Sequence, residues 1–149
     1  MEAKKALSSI AAQCSKKEYC SFDVVTQLQR WELSDKEIAE ILAFLVKHRF
    51  LNDERFALAY ARDKFRFNRW GKAKIEQMLR QKHISDPVIY AAITALPDDD
   101  YDEMCISLLK QKARSLKEED PYKRKAKLFR FALGRGFSAE IISRCLEKL

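Results

Sequence analysis

The stretch "LQRWELSDKEIAEILAFL" (residues 28–45) returns twice on the same plan: "LRQKHISDPVIYAAITAL" (79–96) and "ALGRGFSAEIISRCLEKL" (132–149). Each copy has an apolar residue, then a serine, then apolar residues four, eight and eleven positions after it. They are Ile38, Leu42 and Leu45 after Ser34; Ile89, Ile93 and Leu96 after Ser85; Ile142, Leu146 and Leu149 after Ser138. That spacing lays one apolar stripe along a helix. The serine is a natural N-cap, because its hydroxyl accepts a bond from an N–H of the first turn that has no helical partner. Ser34 also has Glu37 three residues on, the capping-box pattern. Pro87 falls in a first turn, where its missing N–H costs little. Leu33, Ile84 and Phe137, each just before the cap, are placed to staple against the residue four after it.

The repeat extends upstream. "GKAKIEQML" (71–79) aligns with "RKAKLFRFA" (124–132), and "SFDVVTQL" (21–28) supplies the matching helix of the first copy. The second helix of the middle unit is expected from Trp70 to Lys82. An earlier helix precedes each of these, at about 3–14, 53–68 and 99–117. Asn52 and Asp120 are candidate caps, and Pro121 suits a first helical position. The expectation is an all-α protein of three tandem three-helix repeats, over residues 1–50, 51–97 and 98–149. One such unit is too small for a generous core. Stacking units end to end buries their remaining apolar faces, so the array should be elongated and curved.

Composition agrees. Only three glycines and three prolines occur in 149 residues, and 47% of the chain is apolar. Leu, Ala, Lys, Arg and Glu outnumber Val, Ile and Thr, which favours helix over strand. No apolar run is long enough to span a bilayer. The N-terminal "MEAKKALSSIAAQCSKKEYC" lacks the unbroken apolar core of a secretory signal, so a cytoplasmic protein is expected.

The usual signs of catalysis are missing. There is no G-x-x-x-x-G-K-[ST] loop and no G-x-G-x-x-G; "GRG" at 134–136 reads as a loop between helices. Cys14, Cys20, Cys105 and Cys145 form no C-x-x-C pair and read as buried free thiols. "DDD" at 98–100 reads as acids favouring a helix start rather than a metal site. His48 ends a helix, and His83 occupies the turn position of Gly136, which asks for positive φ. No metal, cofactor or enzymatic activity is expected.

The net charge of +7 is uneven, at +1, +1 and +5 over residues 1–50, 51–100 and 101–149. "RDKFRFNRWGKAKIEQMLR" (62–80) carries seven basic residues (Arg62, Lys64, Arg66, Arg69, Lys72, Lys74 and Arg80) against two acids. In the third unit Lys123, Lys127 and Arg130 fall on one helical stripe, with Arg124 beside it in "KRKAK". The first unit has no counterpart, its second helix offering Asp23, Gln27 and Arg30. Two equivalent basic helices suit phosphates or an acidic protein groove, and they lack the side chains that read base edges. Phe65 reads as core, sharing a face with Leu58 and Ala61. Phe67 and Trp70 are open to either core or base stacking.

Residues 50–93, "FLNDERFALAYARDKFRFNRWGKAKIEQMLRQKHISDPVIYAAI", resemble the centre of the RecX family of bacterial RecA regulators. The resemblance rests on Phe50 to Ala57, then Gly71, Lys74, Ile75, Leu79 and Ile84. "EYCSFDVVTQL" (18–28) is similar to the family's first-repeat pattern, with Asp23 and Val24 in place of Glu and Leu. His83 stands where the family usually has Gly. The resemblance implies tandem three-helix repeats, and binding in the groove of the RecA–single-stranded-DNA filament; the chain itself is expected to be a monomer. The resemblance also implies restraint of filament growth, strand exchange and ATP hydrolysis, in DNA repair by homologous recombination, without catalysis by this chain. Two alternatives stand beside it: a sequence-neutral DNA binder acting without RecA, and a helical scaffold for another acidic protein.

Overall fold

The computed structural model describes residues 1–149 as helices joined by short turns, with no strand. Unit one holds α1 (Ala3–Lys16), α2 (Ser21–Arg30) and α3 (Asp35–Lys47). Unit two holds α4 (Asp53–Asn68), α5 (Lys72–Gln81) and α6 (Asp86–Thr94). Unit three holds α7 (Asp98–Ser115), α8 (Pro121–Gly134) and α9 (Ala139–Leu146). In every unit the first and second helices both pack on the third. The exposed surface is 9643 Å², against about 7,900 Å² for a compact monomer of this mass. The excess is that of an extended array. No helix is long and apolar enough to cross a membrane.

Capping follows the chemistry of the sequence. Ser34 and Glu37 form a complete capping box, and Asn52, Asp120 and Ser138 each accept from the backbone N–H three residues on. Ser85 makes no such bond; Pro87 in the same first turn has already removed one donor. The turn after each second helix is the same object three times. Glu32, His83 and Gly136 have φ of 60°, 59° and 100°. The next N–H reaches back five residues, Leu33 to Leu28, Ile84 to Leu79 and Phe137 to Ala132, at 3.4, 3.2 and 3.3 Å. This is the six-to-one bond of a Schellman ending.

Three expectations are corrected. The buried stripe of the third helices runs four and seven positions after the serine: Ile38 and Ile41, Ile89 and Ala92, Ile142 and Cys145. Leu42, Ile93 and Leu146, eight after it, are only half-buried, because a 3.6-residue turn carries that position to the flank. Leu149 is exposed beyond the last helix, whereas Leu45 and Leu96 at the same spacing are buried. Trp70 is not helical: α4 ends with Arg69 in the left-handed region, φ 57°, and α5 starts only at Lys72. Phe65 is core, but beside Phe56, Ala57 and Ala61, while Leu58 is exposed.

Every buried side chain is apolar, a cysteine or, in Tyr101, a phenol. They form two clusters. One lies in unit one, closed by Leu51 just after it. The other runs through units two and three and takes only Cys20 from unit one. Burial pushes the thiols of Cys20 and Cys105 up to about 11 and about 12, so they behave as apolar filler.

The units meet at two seams of one design. The second helix of a unit starts without a side-chain cap of its own, and the following unit supplies the partners. At the first seam Asp53 accepts from the Ser21 N–H at 2.8 Å, and the His83 ring stacks on Phe22 with centroids 4.4 Å apart. Lys82 pairs with Asp23 at 2.8 Å. Burial pulls the Lys82 ammonium down, but the Asp23 bond and charge push it further up, leaving it above its ordinary value. Arg55 pairs with Glu18 alongside.

At the second seam the Tyr101 hydroxyl accepts from the Lys72 N–H at 2.8 Å. The carbonyls of Arg135 and Gly136 accept from the N–H groups of Gly71 and Ala73 at 2.7 and 3.1 Å. Burial holds the Tyr101 phenol up at about 12, so it stays neutral. Tyr101→Phe leaves the Lys72 N–H unpaired at a part-buried site. The expected loss is about 1–2 kcal/mol, read as a lower urea midpoint at unchanged slope.

Candidate functional site

The eleven candidate bases divide by what each side chain touches. Arg62 and Arg66 are exposed on α4; Arg62 lies 3.7 Å from Asp63, and Arg66 makes no ion pair. Both border a cleft of about 620 Å³ floored by Leu58, Phe65, Ala92, Leu96 and Met104, which Asp100 and Glu103 also line. Lys64 and Lys74 bring their ammonium groups over Trp70, at 5.1 and 4.7 Å from the ring centroid. Lys64 also lies 5.4 Å from the Tyr60 ring. Trp70 is thus half-buried on the core, with its outer side bounded by cations. Phe67, two residues before Arg69, is 75% exposed.

Four of the bases are occupied within the chain. Lys72 sits 3.6 Å from Asp98 and 4.6 Å over the Tyr101 ring. Arg80 bridges Glu76 at 2.7 Å and Asp86 at 3.5 Å. Lys127 pairs with Glu118 at 3.2 Å, and that bond holds the Glu118 carboxyl below its usual range. Arg124 turns inward and donates to the carbonyls of Ala113, Leu116 and Glu118. Those carbonyls end α7 and follow it, where only Ala113 has a backbone donor, the Leu116 N–H at 3.3 Å, and a forked guanidinium can reach all three. Arg124 therefore closes a helix end, a role that its place in "KRKAK" did not suggest.

Lys123 and Arg130 remain, exposed on α8 and without ion pairs, as does Lys125 between them, which the helical stripe had not included. Arg69 stands at the second seam, its Nη1 donating to Gln111 Oε1 at 2.7 Å. Two cations outside the expected stripes join it there. Lys112 and Arg135 lie over the Phe131 ring, at 5.0 and 5.1 Å. The one trace of this in the sequence is local: Arg135 follows Phe131 by four, one helical turn. The free bases thus fall into three groups, on α4, on α8 and at the second seam. No group of three His, Cys, Asp or Glu side chains is placed to hold a metal ion.

Known proteins share this fold. The description of the second three-helix domain of RecX matches residues 52–93, and that of the third matches residues 98–146. The regulatory protein RecX of Bacillus cereus (strain G9842) is 29% identical over 122 residues, covering 82% of this chain and 45% of the relative. That of Bacillus thuringiensis (strain Al Hakam) is 27% identical over 137 residues, covering 88% and 51%. The chain spans about half the length of these curated relatives. A crystal structure of regulatory protein RecX superposes with a TM-score of 0.88 at 23% identity, over 97% of this chain and 71% of that one. RecX from Lactobacillus salivarius superposes with 0.86 at 22% identity, over 99% and 96%. At such identities the superpositions speak for the fold. The two domain matches fall in order on units two and three, and with that fold the chain belongs to the RecX family.

Proposed function

We propose that this chain regulates the RecA recombinase, mainly by restraint. In this reading it lies in the groove of the RecA–single-stranded-DNA filament and limits filament growth, strand exchange and ATP hydrolysis. It performs no chemistry of its own. The observation that carries the reading is the extended array with bases left without acid partners on successive units: Arg66 on α4, Lys123 and Arg130 on α8. A chain that spans neighbouring subunits of a filament needs length, and such bases supply attraction to phosphate or acidic protein along it. The relatives' name, regulatory protein RecX, supports the same reading.

The test is RecA ATP hydrolysis on single-stranded DNA, titrated with this chain at physiological salt beside binding to the bare DNA. Inhibition is expected well below the concentration that coats bare DNA. No inhibition at stoichiometric amounts would end the proposal. Reversing charge at Lys123 and Arg130 together should raise the inhibitory concentration about tenfold with the helical signal intact. Neither side chain has a partner to lose.

The same free bases favour a second reading, a sequence-neutral DNA binder acting without RecA. That reading requires inhibition only once the DNA is coated, with a steep salt dependence.

A further inference from the structure

Beside the second seam opens a cleft of about 550 Å³, bordered by the end of α4, the second half of α7 and the end of α8. Arg69, Lys112 and Arg135 line it, and no carboxylate does. None of these three cations takes part in an ion pair anywhere in the chain. They are held by neutral groups: Arg69 by the Gln111 amide, Arg135 by the Asn68 carbonyl at 3.3 Å, and Lys112 and Arg135 by the face of Phe131. Their positions are therefore set without their charge being cancelled.

The rim carries a second feature. Phe67 borders this cleft with its ring 75% exposed. It borders the neighbouring cleft between units one and two as well, but there the bases are faced by Glu18, Asp23 and Asp63. Only on the acid-free side does an open aromatic face adjoin uncompensated positive charge. Simple anions would need the cations alone. A planar group joined to a phosphate uses both.

We infer that this cleft takes a short single-stranded nucleic-acid segment, with one base stacked on Phe67 and the flanking phosphates on Arg69, Lys112 and Arg135. The inference rests on the proposed function only in giving the DNA its place on this chain. A duplex does not suit the site, because its bases are already stacked on one another and offer no free face. An acidic peptide would satisfy the cations but leave the ring idle.

The experiment uses the full chain, a dye-labelled oligothymidylate and an abasic strand of equal length, with binding read by anisotropy at low salt. Phe67→Ala is expected to weaken thymidylate binding about tenfold, as loss of one stacked base does, and to leave the abasic strand unaffected. Phe67→Trp should keep the affinity. Lys112→Ala with Arg135→Ala should weaken both strands and flatten the log–log salt slope by about 1.4, the value for two phosphates on a single strand. Circular dichroism checks that each variant is folded.

Equal losses on both strands for Phe67→Ala, no loss on either, or no thymidylate binding by the parent chain would overturn the inference. So would polyglutamate competing as well as thymidylate in a manner indifferent to Phe67, which would make the cleft an acidic-peptide site. The RecA titration separates the two claims. A Phe67→Ala chain that binds both strands as its parent does, while the parent inhibits RecA, sinks the cleft assignment alone. A parent that stacks thymidine but leaves RecA untouched sinks the filament reading alone.

Discussion

Gly71→Ala is expected to cost about 3 kcal/mol and to lower the melting temperature by about 10 °C. A Cβ on Gly71 would overlap the carbonyl carbon and oxygen of Gly136 and lie 2.6 Å from the Phe137 nitrogen. These are backbone atoms of the facing turn and cannot rotate away. Relief requires the seam to open, which also strains the bonds from the Gly71 and Ala73 N–H groups to the Arg135 and Gly136 carbonyls. The contact is tight from the other side too, where a Cβ on Gly136 would fall 2.5 Å from Lys74 Cβ. Fluorescence reads the result, because Trp70 packs beside the large cluster and Trp31 beside that of unit one. In a Trp31→Phe background the Trp70 transition should move down, and in a Trp70→Phe background the Trp31 transition should move much less. An unchanged Trp70 melt would mean that the seam absorbs a methyl group and that the glycine is dispensable.

Ile75→Asp should have the larger effect, removing the cooperative transition of units two and three. Ile75 is fully buried, and no charged side chain is buried in the chain to pair with a carboxylate. The change loses the packing of a core isoleucine, about 3 kcal/mol, and adds several more for an unpaired buried charge. The sum approaches the whole stability of a typical small domain. Leu128→Asp, in the same cluster from the side of unit three, should act alike. The separate cluster of unit one predicts that the ellipticity of α1 to α3 persists in both variants. Complete loss of helical signal would show that unit one depends on its neighbour despite having its own core.

Much of this was legible in the sequence because it is local. Helix positions follow from stripes spaced at three and four residues, their starts from Ser34, Asn52, Asp120 and Ser138, and the turn at His83 from its alignment with Gly136. What escaped depends on residues far apart. Nothing around Ser21 announces that its N–H will be met by Asp53, and nothing around Lys72 announces Tyr101. The basic stripes were read as one population because formal charge is all that a sequence displays. Folding then divided them: Arg124 was drawn to the end of α7, Lys72, Arg80 and Lys127 to acids, and Lys123 and Arg130 were left outside. Phe67 and Trp70, three residues apart and chemically similar, took opposite fates because the left-handed turn at Arg69 redirects the chain between them.

The way the second helices begin has a consequence for biosynthesis. α2 and α5 have no side-chain cap of their own and borrow one from the unit that follows, whereas α8 is capped by Asp120 from within. A chain leaving the ribosome exposes its N-terminus first. Unit one therefore waits for Asp53, and unit two waits for Tyr101 and the turn at Gly136, before either middle helix has its first donors satisfied. Maturation of these two units trails synthesis by one unit, whereas α8 carries its own cap in Asp120.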